Sequence, residues 1–208
     1  VVGTGAIGAG VYVSFFGAPD EPEPAPSIIF PNRIEAFLVP TYDTVPNALA
    51  SERARATLAL GEIERMDLTL EGATTSTETL LEKLTPPSGL LREARSIMFG
   101  IHSFDRNQPF IIIEVTQYDR AYGAMLAWEE DMGRSLGNFF KPLKGTAPPT
   151  TLFKDVVFEN IDLRVSQDAW PILYAFPRRD VLVITTNQHT LQEILTRLNA
   201  QQVRPVLP

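Results

Sequence analysis

Gly133-Arg134-Ser135-Leu136-Gly137 satisfies G-x-S-x-G, the spacing that exposes a serine nucleophile on a strained turn between a strand and a helix. Asp155, Asp162 or Asp180, followed by His189, completes serine, acid and base in the chain order such a hydrolase uses. The residues just before Ser135, MLAWEEDM, favour a helix where the elbow requires a strand. Two glycines that let a long helix end, or pack closely on a neighbour, are the simpler reading. His102, Ser103, Asp105 and Glu114 fall on or near one expected hairpin. An imidazole and a carboxylate on facing strands would do general acid–base work. A hydrogen-bonded strand histidine and a turn aspartate account for the same residues. His189, with Asn187 and Gln188, suits the polar turn that opens a helix. Glu129-Glu130-Asp131 offers carboxylates to a hard cation, but consecutive helical positions point in different directions, as on a solvated face. Gly3, Gly5 and Gly8 fit G-x-G-x-x-G, with Asp20 or Glu21 as the downstream acid of a nucleotide site. Only Val1 and Val2 stand where the preceding strand belongs, and five prolines between positions 19 and 31 forbid the crossover helix.

Composition narrows the chemistry further. The 208 residues contain no cysteine, which removes thiolate catalysis, disulfides and thiolate-held metals. Two histidines, His102 and His189, leave little for a histidine-rich metal site. The net charge of −7, with no basic run longer than Arg178-Arg179, argues against a nucleic-acid partner, because phosphate contacts need a basic face. No P-loop, H-E-x-x-H, EF-hand or N-x-[ST] pattern is present. No catalytic, cofactor-binding or metal-binding residue is therefore assigned from sequence, no cofactor is expected, and a non-enzymatic role is expected.

The elements that must carry these residues begin with an apolar arm. Residues 1–19, VVGTGAIGAGVYVSFFGAP, contain no charge and open without Met inside an apolar run. Residues 1–16 read as the end of a membrane-spanning helix, or as an apolar arm that docks on a partner: Ala6 and Gly10, or Gly5 and Ala9, give the small-xxx-small spacing that lets backbones approach, and Phe15 and Phe16 suit the interface. Residues 17–31 form a linker in which Pro19, Pro22, Pro24 and Pro26 alternate with acids, an extended and stiff spacer. No Lys or Arg precedes Arg33, so the positive-inside rule places the following domain on the extracytoplasmic side.

The rest reads as α+β, a mostly antiparallel sheet with amphipathic helices packed on it. Residues 32–140 form one subdomain, 141–152 a connecting loop, and 153–208 a second subdomain sharing the sheet. Strands are expected at 33–39 and 62–71, with a helix over 47–60. Thr75 with Glu78 makes a capping box for a helix running to about Thr85, and Ser88 caps another turn. SIMFGIHSF (96–104) and PFIIIEVTQ (109–117) make a hairpin around the polar loop 105–108. Asp119 then caps the longest helix, to about Phe140. Strands follow at 156–165, 172–176 and 180–186, and Thr190 with Glu193 opens the last helix.

FIIIEVTQYDRAYGAML (110–126) and VLVITTNQHTLQEIL (181–195) share one order: apolar strand, Thr, polar turn, amphipathic helix. Each follows a hairpin partner strand. This predicts a ββα unit used twice and a sheet with pseudo-twofold symmetry. Charge divides as well: net −9 over residues 1–140 and +2 over 141–208. That asymmetry favours head-to-tail contact between copies.

The apolar start, the Pro/acid spacer, PFIIIEVTQYDRAYGAMLAWEEDM and FKDVVFENIDLRV…LVITTNQHTLQEILTRL together resemble uncharacterised bacterial exported proteins with a single N-terminal membrane span and an α+β extracytoplasmic domain. The resemblance covers most of the chain and carries no known activity. Its architecture is similar to that of envelope assembly proteins of pilus and secretion machines. It implies a membrane-anchored envelope protein in the cell membrane, with a structural or protein-interaction role and a protein partner or self-association. Trp128, Trp170, Phe139 and Phe140 are candidate contact anchors, and equally core residues.

Overall fold

A computed structural model describes residues 27–39, 45–70, 73–74, 76–141, 152–167 and 171–202. The apolar arm, most of the Pro/acid linker, Gly3, Gly5, Gly8, Thr75 and Trp170 lie outside the described residues. Among the described residues, no helix is long and apolar enough to cross a membrane.

The elements run β1 (Arg33–Val39), α1 (Val45–Arg55), β2 (Ile63–Leu70), β3 (Ala73–Thr74), α2 (Thr77–Glu82), α3 (Ser88–Glu93), β4 (Ala94–Phe104), β5 (Arg106–Val115), α4 (Tyr118–Ser135) and α5 (Gly137–Phe140). They continue with β6 (Phe153–Phe158), β7 (Ile161–Ser166), β8 (Leu173–Arg178), β9 (Val181–Thr185) and α6 (Gln188–Gln202). One sheet holds the strands in the order β1-β2-β4-β5-β9-β8-β7-β6, with the short β3 paired to β2. Among the described strands, only β1 and β2 run parallel. The fold is α+β. The segments before and after the 142–151 connection meet where β5 pairs with β9.

The strands alternate faces with period two, and the sheet separates two apolar cores. Phe99, Ile101, Ile111, Ile113, Leu182 and Ile184 point to one face, where Ala121, Ala124, Met125, Trp128 and Met132 of α4 cover them. Met98, Phe110, Ile112, Val181 and Val183 point to the other, under Leu191, Ile194, Leu195 and Leu198 of α6. Each such side chain, fully buried, contributes roughly 1.5–3 kcal/mol of transfer free energy. The run Phe110–Ile113 is buried throughout because it is covered on both faces, as its unbroken apolar character requires. Trp128, Phe139 and Phe140 are buried in the α4-side core, so these candidate anchors serve packing.

Both ββα units are present, as β4-β5-α4 and β8-β9-α6, and the antiparallel strand order β2-β4-β5-β9-β8-β7 is symmetric about the β5–β9 pair, but the helices break the pseudo-twofold. The rotation that exchanges antiparallel neighbours β5 and β9 runs normal to the sheet and would keep both helices on one face. They lie on opposite faces.

Several local expectations are corrected. The strand expected over 156–165 is a hairpin, β6 and β7, turning at Glu159-Asn160 with φ of 50° and 64°. Two left-handed central residues are the type I′ geometry whose twist suits paired strands. The β4–β5 hairpin is tighter than expected: Phe104 pairs with Arg106 across Asp105, at φ 60°. The cap of α2 is Ser76, whose Oγ accepts from Thr79 N at 3.2 Å. Asp119 lies inside the first turn of α4, which has no side-chain cap, and the long helix breaks at Leu136 into α4 and α5. Asn187 starts α6, its Oδ1 accepting from His189 N at 2.8 Å, and Thr190 is buried within the helix.

Two side-chain devices fix the sheet against its helices. Gly100 lies opposite Phe110, whose ring crosses it: a Cβ there would sit 2.2 Å from the ring and 2.8 Å from the Glu64 carbonyl oxygen. Arg53 of α1 is buried, donating from Nε to Asn107 O at 2.6 Å and from Nη1 to Phe139 O and Lys141 O at 2.8 and 2.7 Å. Burial, with Arg106 nearby, lowers its pKa to about 10, so it remains charged at neutral pH. Asn107 Nδ2 returns bonds to Arg53 O and Ala56 O, closing the end of α1.

Candidate functional site

The hairpin β6–β7 decides what stands beside α4. Its pairing sets Asp155 opposite Arg164, and β7–β8 pairing sets Arg164 opposite Tyr174. One rung across three strands is therefore Asp155-Arg164-Tyr174, on the face α4 covers. By the same register Val157 lies opposite Asp162, and Phe176 follows Tyr174 on that face. Glu129 projects onto the first rung from α4. Its Oε1 and Oε2 accept from Arg164 Nε and Nη2 at 2.7 and 2.6 Å, and Oε1 also accepts from the Tyr174 hydroxyl at 2.6 Å. Arg164 Nη1 donates to Asp155 at 3.1 Å. The Arg164 and Glu129 side chains are only 18% and 12% exposed, so this two-pronged pair works in reduced dielectric.

Hydrogen bonds to Glu129 hold the Arg164 guanidinium well above its ordinary pKa. Burial, with the Glu129 carboxylate as acceptor, pushes the Tyr174 hydroxyl well up as well. Both groups keep their protons through any physiological pH. The cluster is a fixed post, unsuited to proton exchange.

Above it, Tyr118 and Tyr122, one turn apart on α4, meet Phe176. The tyrosine rings stack at 5.7 Å, and Phe176 stands edge-on to them at 5.1 and 6.1 Å. The Arg179 guanidinium lies over the Tyr118 ring at 5.1 Å. Tyr118, Tyr122 and Phe176 line a cavity of about 230 Å³ between α4 and the β6–β7–β8 face, with Asp155, Asp162 and Arg164 at its wall. Burial raises the Tyr122 hydroxyl pKa.

The residues singled out from sequence are dispersed. Ser135 ends α4, its Oγ bonded to Thr85 Oγ1 at 2.9 Å and to Trp128 Nε1 at 3.3 Å. A helix, and no strand, precedes it, so the elbow geometry does not form. His189 begins α6 on the opposite face of the sheet, so the structure does not bring Ser135 and His189 together. His102 is buried on β4, with Nδ1 3.0 Å from the Thr190 hydroxyl, and burial lowers its pKa. Phe104 stands between the imidazoles, 6.2 Å from the ring of His102 and 4.3 Å from that of His189. Asp105 occupies its turn, and Glu114 accepts from Ser96 Oγ at 2.5 Å. Among the described residues no group of three or more His, Asp or Glu could hold a metal ion. Of Glu129, Glu130 and Asp131, read as a solvated face, Glu129 is instead the half-buried centre of the network.

Sequence reasoning missed the groove because residues 156–165 read as one strand, which hides the pairing of Asp155 with Arg164. Two signals were there to use. The alternation of IDLRV puts Asp162 and Arg164 on one face, and Tyr118 and Tyr122 have the i,i+4 spacing of helical neighbours. The chain matches no family model, no curated protein and no solved structure.

Proposed function

We propose that the protein is a membrane-anchored envelope protein that works by binding another protein, without chemical turnover. In this reading residues 1–16 tether it, residues 17–31 space it from the membrane, and the α+β domain presents the α4 groove on the extracytoplasmic side. The observation that carries the reading is the groove itself: tyrosines, Phe176 and arginines over a post made rigid by Glu129, Arg164 and Tyr174. Tyr and Arg are the residue types that dominate binding energy at protein interfaces. A surface held in place before contact loses little freedom on binding.

The test places a photo-crosslinking residue at Tyr122, at Asp162 and, as a control, at the exposed Leu60, in the full chain within its own cell envelope. The expected result is one discrete cross-linked protein from positions 122 and 162 and none from position 60, with the chain retained in the membrane fraction. Equal labelling from all three positions, no adduct from the groove, or release of the chain in soluble form would overturn the reading.

A further inference from the structure

We infer that the α4 groove takes a cationic side chain, lysine or arginine, presented by its protein partner. The inference rests on the groove being a binding surface and adds the chemistry of what enters it.

Three observations converge. The first is charge. Asp155, Asp162 and Arg164 line the cavity, and Glu129 stands behind Arg164 as its ion-pair partner, so these three carboxylates against one guanidinium leave an excess of two negative charges. Arg179 at the rim does not cancel it, because Asp119 stands 3.5 Å away. The Arg164 donors turn to Glu129 and Asp155, so the guanidinium is spent inside the post and does not recruit an anion.

The second is the aromatic cluster. A cation over a tyrosine face within about 6 Å is attracted by the ring quadrupole. Arg179 already adopts this position on Tyr118, at 5.1 Å. Tyr122 offers the same kind of surface one turn further along α4, nearer the excess carboxylates.

The third is size and lining. About 230 Å³ admits one long side chain and is smaller than the roughly 300–1,000 Å³ of sites that hold cofactors or drug-sized ligands. Two exposed apolar side chains adjoin its lining residues. Leu126 follows Tyr122 on the same flank of α4 and is 42% exposed, and Val157, beside Asp162, is 71% exposed. Lysine and arginine have a methylene stem for such side chains and a charged head for the carboxylates beyond. An acidic or purely apolar segment would satisfy only one of the two.

The experiment uses the full chain in detergent with tyrosine ring carbons labelled, read by NMR at Tyr118 and Tyr122. The probes are blocked tripeptides Ac-Ala-X-Ala-amide, with X as arginine, lysine, citrulline or glutamate. Arginine and lysine peptides are expected to shift both tyrosine signals saturably, and citrulline, the same shape without charge, to bind about tenfold more weakly, a loss of about 1.4 kcal/mol. Asp162→Asn, at an exposed position outside the Glu129–Arg164 network, is expected to weaken the arginine peptide severalfold and to reduce its sensitivity to ionic strength. Equal binding of citrulline or glutamate, or no saturable shift with any probe, overturns the inference. If cross-linking at Tyr122 persists while cation preference is absent, only this inference falls. Loss of both removes the binding surface altogether.

Discussion

Helices α4 and α6 begin from nearly the same local grammar: an apolar strand, a Thr, a polar turn, then a helix with one apolar face. They end in different circumstances because the hairpin β6–β7 offers each a different side of itself. Toward α6 it turns Val156, Phe158, Ile161, Leu163 and Val165, which join the apolar core. Toward α4 it turns Asp155, Asp162 and Arg164. The α6 face uses its polar groups on the body of the domain. His102 meets Thr190, while Arg197 reaches Phe30 O and Asn32 Oδ1 at 2.6 and 2.7 Å and Glu193 at 2.7 Å. The α4 face instead retains an aromatic and acidic groove behind one saturated ion pair. An apolar hairpin face lets a helix close down, whereas a charged one holds the helix flank away and leaves room for a ligand.

The contrast can be broken most severely at Arg164. Arg164→Ala strands Glu129 and removes the bridge from β7 to α4. Truncating one partner of a buried pair costs ~3–5 kcal/mol. Because Arg164 is 18% exposed, water repays part of that cost, and about 2–3 kcal/mol is expected in denaturant unfolding. The α6 face should be insensitive to this change, with His102 still titrating as in the parent protein.

The corresponding cut on the α6 face is smaller. Thr190→Val leaves His102 Nδ1 buried without its hydroxyl and is expected to cost about 1–2 kcal/mol. His102 also gives this face a pH signature. Its folded pKa lies below the ordinary 6.5, so the unfolded chain takes up the proton first. Stability contributed by neutral His102 is complete above about pH 6.5 and declines as pH falls from there toward the lowered folded value. His102→Gln should flatten this acid limb in unfolding curves taken across pH 7 to 5.

The smallest effect has the opposite sign and belongs to the α4 side. Glu64 on β2 is 1% exposed, with Oε1 unpartnered and Oε2 3.6 Å from Arg33 Nε, and burial raises its pKa above 4.5. The folded protein therefore holds this proton longer than the unfolded chain, and stability falls as pH rises from about 4.5 through the folded value. Glu64→Gln is expected to stabilise the protein modestly at pH 7 and to lose that advantage below pH 4, measured by thermal unfolding at both pH values.

Much of the scaffold was legible in the sequence because it depends on periodicity. The alternation of 33–39 and 62–71, the apolar run Phe110–Ile113 and the helical stripes of Met125 and Leu191 each report a local burial pattern. What escaped depended on partners distant in sequence. Glu159-Asn160 carries no glycine to announce a type I′ turn, so one strand was read where two pair. Glu129 looked solvated because nothing near it in sequence reveals that Arg164, 35 residues away, comes to meet it. Thr190 fitted a capping box as well as it fits a buried partner for His102, and only the position of β4 distinguishes the two.

The sequence by itself determined the α+β class, most strand and helix positions and both ββα units, since backbone geometry and side-chain period act over a few residues. Tertiary structure alone decided that the two helices take opposite faces, that β6 and β7 separate, and that Glu129, Arg164 and Tyr174 share one network. These outcomes follow from strand register, where a shift of one residue exchanges the two faces of the sheet and with them every contact above it.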